Sequence, residues 1–130
     1  MTQRLENLIM EVTETSTHID FNSETKILTM NGRSIPANAI AFFDPILKWT
    51  KSFLKSYPTE TKLNISFEYL HTSAARQVFE LIKLLKESEK STNFLTINWY
   101  YEENDEDMKQ LGMDFSSVIG MPFKFTPFKN

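Results

Sequence analysis

The chain has 130 residues, no cysteine and a formal net charge of −3, and its length is typical of one domain, so we expect a single domain over residues 1–130. The lack of cysteine excludes disulfides and zinc–thiolate sites, and the acidic balance argues against a nucleic-acid or anionic-membrane surface. No apolar segment approaches the ~20 residues that span a bilayer, and the N-terminus lacks the apolar run of a signal peptide, so we expect a cytoplasmic protein.

The first segment is typical of short strands joined by turns. Apolar residues alternate from Leu8 to Val12, and Ile19 and Phe21 alternate with polar neighbours in a second strand. The polar residues 22–25 predict a turn before a third strand, Lys26–Met30, so the pair is expected to form a hairpin. Asn31-Gly32 is a turn signal that would end this strand.

The next segment combines a cap signal with prolines. Asn38 can cap a short helical turn over residues 39–43. Because proline loses a hydrogen bond and clashes inside a helix, Asp44-Pro45 is interpreted as the N-cap and first residue of a new or kinked helix that Pro58 ends. The inner stripe of that helix consists of Ile46, Thr50, Phe53, Leu54 and Tyr57.

The central stretch, Ser66–Lys86, changes from strand to helix periodicity. Apolar residues alternate with polar ones from Leu63 to Tyr69, which predicts a strand with one buried face. Helix formers with an apolar stripe follow from Ala74 to Lys86. Thr72 or Ser73 is the predicted N-cap, and an anion such as a phosphate would be favoured there. From the spacing alone, an ordinary cap without a switch is the favoured interpretation, and a phosphorylation switch is the alternative.

The last segment predicts a strand, a helix and a further apolar stretch. Leu95, Ile97, Trp99 and Tyr101 alternate along Phe94–Tyr101, so Tyr100 lies on the polar face as a candidate contact residue. The acidic run Glu102–Asp107 would open a short helix that Gly112 ends. The stretch Met121–Phe128 would add an edge strand or a tail packed on the core.

These elements predict an α/β fold with a mixed sheet. The two main strands are joined through a helix and should therefore be parallel. Because each is polar on one face, we expect helices mainly on one face of the sheet. If the strands are neighbours, the Thr72-Ser73 pair and the Glu102–Asp107 run share one edge, and a phosphate there would change the charge of that edge.

Metal and catalytic sites are weakly indicated. The Glu102–Asp107 run could bind Mg²⁺ or Ca²⁺, but it lacks the spacing and glycine of an EF-hand, and a solvated helix start is the simpler interpretation. The two histidines, His18 and His71, make no metal site or triad from sequence alone. His71 could act as a base or orient its loop. We expect no metal and no cofactor.

Four motifs together resemble the SiaC family of bacterial regulatory phosphoproteins over nearly the whole chain. They are Ser34-Ile-Pro-Ala-Asn-Ala39; Phe42-Phe-Asp-Pro45 with Trp49 and Tyr57; Glu68-Tyr-Leu-His-Thr-Ser73; and Asn98-Trp-Tyr-Tyr-Glu-Glu-Asn-Asp-Glu-Asp-Met108 followed by Gly112. Two positions depart from the family pattern: His71 stands where Asn is usual, and Arg76 where Lys is common.

The resemblance implies a STAS-like fold and a non-enzymatic switch. It implies that a partner kinase phosphorylates Thr72, with Ser73 as the alternative, and that a PP2C-type phosphatase reverses this. It also implies that the unphosphorylated form binds a GGDEF-type diguanylate cyclase and thereby links the chain to cyclic-di-GMP and biofilm control. The expected partner-binding residues are His71, Ser73, Arg76, Tyr100, Glu102, Asp105 and Asp107.

Two other functions remain open from the sequence. One is a constitutive adaptor domain that binds protein partners without a switch. The other is a small metal-dependent hydrolase that would use His71, Asp105 and Asp107, although it lacks a recognisable nucleophile–base set.

Overall fold

A hairpin of strands precedes an alternation of helices and strands in the computed structural model, which describes residues 5–11, 17–34, 38–56, 60–88 and 95–129. The element order is β1 (Leu8–Met10), β2 (Thr17–Asn22), β3 (Ile27–Ser34), α1 (Ala39–Lys55), β4 (Thr61–Leu70), α2 (Thr72–Glu87), β5 (Leu95–Glu102), α3 (Glu106–Ile119) and β6 (Lys124–Phe128).

The strands form one six-stranded mixed sheet in the order β1-β2-β3-β4-β5-β6. Strands β1 to β3 pair antiparallel, and strands β3 to β6 pair parallel. The predicted hairpin, the parallel pairing of β4 with β5 and the edge strand at the end of the chain are confirmed. Because β3 to β6 run in the same direction, all four end at one edge of the sheet, called here the carboxyl edge. The helices α1, α2 and α3 begin at this edge.

The two faces of the sheet differ sharply in burial. Side chains on one face are buried beneath the helices, with Phe21, Leu63, Ile65 and Trp99 each at most 1% exposed. On the other face, called here the open face, residues such as Asn64 and Asn98 are only partly buried, and Asn98 Nδ2 donates to Asn64 Oδ1 at 2.8 Å. The mixed α/β fold with helices mainly on one face is thus confirmed.

Two positions at which the sequence predicted the end of a strand or a new helix lie inside continuous elements. Asn31-Gly32 does not end a strand, because β3 runs on to Ser34, with Gly32 at φ 100°. Pro45 lies inside a single helix, α1, that Asn38 caps through a hydrogen bond from Ala41 N to Asn38 Oδ1 of 3.1 Å. The ring of Pro45 is on the exposed side of α1, so the helix interface with the sheet continues past it.

The inner stripe of α1 matches the prediction where the structure describes it. Ile46, Thr50 and Phe53 are buried, and Leu54 is half-buried. Val12, Tyr57 and Pro58 fall outside the described residues. None of the helices that the structure describes is long and apolar enough to cross a membrane.

The helix end predicted at Gly112 was wrong. Helix α3 continues to Ile119, and Gly120, at φ 78°, is its left-handed C-cap. Gly112 is buried in the middle of α3, where a Cβ atom would lie 2.7 Å from Trp99 Cε2 and Nε1. Glycine is therefore required at position 112 by the close approach of α3 to β5, not by a chain reversal.

Candidate functional site

The carboxyl edge brings together the two loops that the sequence singled out. Strands β4 and β5 are paired neighbours, with Ser66 opposite Tyr100. Thr72 follows the end of β4, and the acidic run follows the end of β5. The prediction that these two segments share one edge of the sheet is confirmed.

The start of α2 is capped by His71, so the prediction that Thr72 or Ser73 is the N-cap was wrong. His71 has an extended backbone, and its Nδ1 accepts a hydrogen bond from Ser73 N at 3.2 Å. Its carbonyl oxygen accepts the first helical bond, from Ala75 N at 2.8 Å, and its own N–H donates to Ser34 O at 2.9 Å. The imidazole nitrogen thus accepts the backbone hydrogen bond that a serine or threonine hydroxyl accepts at other helix starts.

This cap accounts for the exposure of Thr72. The Nδ1 lone pair of His71 accepts the hydrogen bond that an asparagine or serine side-chain oxygen accepts at many helix starts. Thr72 becomes the first helical residue, and its side chain is exposed rather than used as the cap. The Ser73 hydroxyl is also exposed, but it lies 3.0 Å from His71 Nδ1.

Arg76 is the nearest cation to Thr72 along α2. Residues four apart in a helix lie on the same side, so the exposed guanidinium follows Thr72 by one turn. The unpaired N–H groups at the start of α2 add a partial positive charge. Both features favour a negative group attached to Thr72.

The acidic run forms the start of α3. Asp105 is its N-cap, with Oδ1 accepting from Met108 N at 3.0 Å, and Glu106 and Asp107 lie exposed in the first turn. Glu102 is half-buried, and its Oε2 accepts from Asn104 N at 2.9 Å. Asp105 is therefore occupied by capping, whereas Asp107 is available to a partner.

The geometry gives the hydrolase alternative little support. The Nδ1 lone pair of His71 is used by the helix cap, so the short contact with Ser73 Oγ is part of that cap. His18 lies near the start of β2, opposite Asn31 of β3, so β3 and β4 separate it from the acidic run that follows β5. Over the described ranges, no cluster of three or more histidine, aspartate or glutamate side chains could hold a metal ion.

Two tyrosines lie on the open face, although the sequence placed only one there. Tyr100 is half-buried on that face, opposite Ser66. Tyr69 was predicted on the buried face with Phe67, but it is 46% exposed. The cause is a β-bulge: Gly32 pairs with Phe67 and Arg33 with Tyr69, so Glu68 is an extra residue that shifts the alternation of β4.

Comparisons with known proteins agree with this architecture. A family model for the SiaC family regulatory phosphoproteins matches residues 10–128. An uncharacterized protein, PA14_02130, of Pseudomonas aeruginosa strain UCBPP-PA14 is 26% identical over 96 residues, which are 74% of this chain and 76% of that protein.

Solved structures of SiaC from Pseudomonas aeruginosa share the fold. Apo-SiaC matches with a TM-score of 0.85 and 22% identity, over 93% of this chain and 98% of the other. The structure of the diguanylate cyclase SiaD in complex with its activator SiaC matches with a TM-score of 0.86 and 23% identity, over 93% and 99% of the two chains. Since the family model spans nearly the whole chain, including Thr72 and the acidic run, the chain belongs to the SiaC family of regulatory phosphoproteins.

Proposed function

We propose that this chain is a cytoplasmic, non-enzymatic switch that a partner kinase phosphorylates on Thr72. The observation that carries the proposal is the exposed side chain of Thr72 at the first position of α2, in a chain that belongs to a family of regulatory phosphoproteins. Because His71 provides the cap, modification of Thr72 leaves the hydrogen bond that begins the helix intact.

A phosphate on Thr72 would meet opposing electrostatic influences. It adds about −1.5 to −2 charges, which the helix start and Arg76 stabilise. Glu106 and Asp107 are exposed at the same edge and would repel it. Phosphorylation therefore changes the charge of the carboxyl edge without requiring the sheet to rearrange, and a partner that binds across this edge would sense the change.

Ser73 is the alternative acceptor. Its hydroxyl is exposed, but it lies 3.0 Å from His71 Nδ1, so a phosphate on Ser73 would place acceptor-only oxygens against the nitrogen that caps α2. Thr72 has no such competing contact with the cap, so we assign it the primary role.

The output that fits best is regulation of a GGDEF-type diguanylate cyclase by the unphosphorylated form, with a PP2C-type phosphatase restoring that form. The support is the family membership and the shared fold with a Pseudomonas aeruginosa protein described as the activator of the cyclase SiaD. In this scheme the phosphate blocks the cyclase contact, so cyclic-di-GMP synthesis falls when Thr72 is modified.

The first experiment is peptide mass spectrometry on the chain purified from its own host, beside the Thr72→Ala and Ser73→Ala variants. We expect one phosphate on Thr72, lost in Thr72→Ala and kept in Ser73→Ala. If no growth condition and no co-expressed kinase yields phosphate on Thr72, the proposal fails, and a constitutive adaptor becomes the better interpretation.

The second experiment tests the output. Cyclic-di-GMP production by the host's diguanylate cyclase is measured with the parent chain, Thr72→Ala and Thr72→Glu. We expect activation by the first two and loss of activation by Thr72→Glu, whose carboxylate imitates part of the phosphate charge. Equal activation by all three variants would show that charge at position 72 does not control the partner.

A further inference from the structure

The β-bulge in β4 places Tyr69 on the open face, which the alternation of the strand does not predict. Before the bulge, Phe67 faces the core; after it, Leu70 packs against the core, and Tyr69 is turned to the open face opposite Arg33. Bulges occur beside functional sites because they redirect a side chain. Here the redirected residue precedes Thr72 by only three positions.

Two further aromatic residues, Tyr100 and Phe128, lie on the same part of the open face. On β4, the next open-face residue after Ser66 is Tyr69. On the neighbouring β5, the next open-face residue after Tyr100 is Glu102. On β6, Phe128 pairs with Glu102, and Thr126 pairs with Tyr100. Glu102 is therefore paired with Phe128 and follows Tyr100 by two residues on its own strand, while Tyr69 lies on the other neighbouring strand, beyond the last β4–β5 pair, Ser66 and Tyr100.

The spacing of a sheet sets the scale of this region. Neighbouring strands are about 4.8 Å apart and alternate residues along a strand about 6.7 Å apart, which gives the backbone spacing of Glu102 from Phe128 and from Tyr100. Tyr69 is 46% exposed, and Tyr100, Glu102 and Phe128 are half-buried. This part of the open face therefore offers partly accessible rings and a carboxylate to a partner.

Among the residues that the structure describes, no cation forms an ion pair with the Glu102 carboxylate. Arg33 lies two strands from Glu102, and Lys129 follows Phe128. Within the residues that the structure describes, neither forms an ion pair with Glu102. The contacts of the Glu102 carboxylate are with Asn104, which leaves acceptor capacity for a further donor.

We propose that Tyr69, Tyr100, Phe128 and Glu102 form a recognition pocket for an arginine side chain of a partner protein. Aromatic faces attract a cation, and a guanidinium also stacks on rings and binds a carboxylate through two hydrogen bonds. This inference rests on the proposed function, because only that function implies that the partner is a protein. The inference adds that the partner occupies the open face and is anchored by an arginine side chain. Glu102 ends β5, which is the neighbour of the strand that Thr72 follows.

The test is an NMR titration of the full chain with the peptide acetyl-Gly-Arg-Gly-amide and with its citrulline counterpart, which has the same shape and no charge. We expect saturable shifts of the Tyr69 and Tyr100 ring signals and of the Glu102 amide with the arginine peptide only. Glu102→Gln should weaken binding about tenfold, as expected when a charge-assisted hydrogen bond is lost. Tyr100→Leu, which keeps apolar area but removes the ring, should weaken it as well.

Asp20→Asn is the matched control, because Asp20 is an exposed carboxylate of the same open face without neighbouring open-face aromatics on β3. It should leave the titration unchanged. Four outcomes would overturn the proposal. The citrulline peptide binds as well as the arginine peptide; Asp20→Asn weakens binding as much as Glu102→Gln does; the shifts are confined to residues 105–107; or no saturable shift is seen at tens of millimolar peptide. The titration needs neither kinase nor phosphate, so its failure leaves the Thr72 experiment standing, and a failed Thr72 experiment leaves the titration interpretable.

Discussion

Gly112 offers the sharpest test of how α3, which carries the acidic run, is held on the sheet. In Gly112→Ala, the new Cβ would lie 2.7 Å from two Trp99 ring atoms and 2.8 Å from a third, whereas carbon atoms in contact prefer about 3.5–4.0 Å. Either α3 moves away by about 1 Å or the indole moves. Trp99 is fully buried, stacks on Phe123 and donates from Nε1 to Met108 O at 3.0 Å, so neither movement is free of cost.

Two opposing contributions set the magnitude. Overpacking of a well-packed core costs about 1–3 kcal/mol, and three buried ring atoms inside contact distance place this substitution in the upper part of that range, at about 2–3 kcal/mol. Alanine regains about 1 kcal/mol over glycine through its better helix propensity. We expect a net loss of about 1–2 kcal/mol in the free energy of unfolding, which for a domain of this size lowers Tm by roughly 3–10 °C.

The assay is urea and thermal unfolding followed by circular dichroism, with Ser117→Ala as the matched control on the exposed side of α3. The control should change stability by less than about 0.5 kcal/mol. The cost of Gly112→Ala should shrink in a Trp99→Phe background, because the smaller ring makes room for the methyl group. A Gly112→Ala protein as stable as its parent would refute the steric argument and show that α3 shifts on the sheet without cost.

Three further predictions concern the cap, the first strand and the proline. His71→Ala should lower stability by about 1 kcal/mol because Ser73 N loses its acceptor, while His71→Asn should be close to neutral; chemical unfolding of both variants measures the difference. Trp49→Phe removes the 2.7 Å hydrogen bond from the indole to Glu6 O, so amide hydrogen exchange in Leu8–Met10 should accelerate, whereas unchanged exchange would mean that pairing with β2 holds the strand alone. Pro45→Ala should raise Tm, since an exposed position inside α1 regains a backbone donor; a lower Tm would mean that the proline-shaped helix is needed for packing.

Local sequence patterns were sufficient where one physical constraint decided the outcome. The alternation in β4 and β5 follows from burial of one sheet face and was predicted correctly from Leu63 to Phe67 and from Leu95 to Tyr101. The amphipathic stripe of α2 was also predicted. So was the shared edge of Thr72 and the acidic run, because a helix that joins parallel strands carries the chain back to the edge where the first strand began, and both strands then end at the opposite edge.

Glycine, proline and cap signals were less informative because they describe what a residue permits locally. Gly112 permits a chain reversal, but it also permits close contact, and only the position of the Trp99 indole against α3 shows which property is used. Pro45 disfavours a helix interior by about 3 kcal/mol, yet the burial of Ile46 and Phe53 on the sheet keeps α1 continuous.

The sequence alone was therefore enough to predict the order of most elements and the parallel pairing of β4 with β5, because periodicity and connection length are properties of contiguous residues. The assignment of Thr72 as phosphoacceptor follows from the family resemblance and stays a prediction. It did not predict that His71 caps α2, although that contact is local, because hydroxyl side chains two and three residues before Ala75 are the commoner caps. It could not predict that Gly112 approaches Trp99 or that Tyr69 turns to the open face. The first depends on a partner that is distant in the chain and the second on a bulge, where Glu68 has no counterpart on β3, and both arise only when the strands and helices pack together.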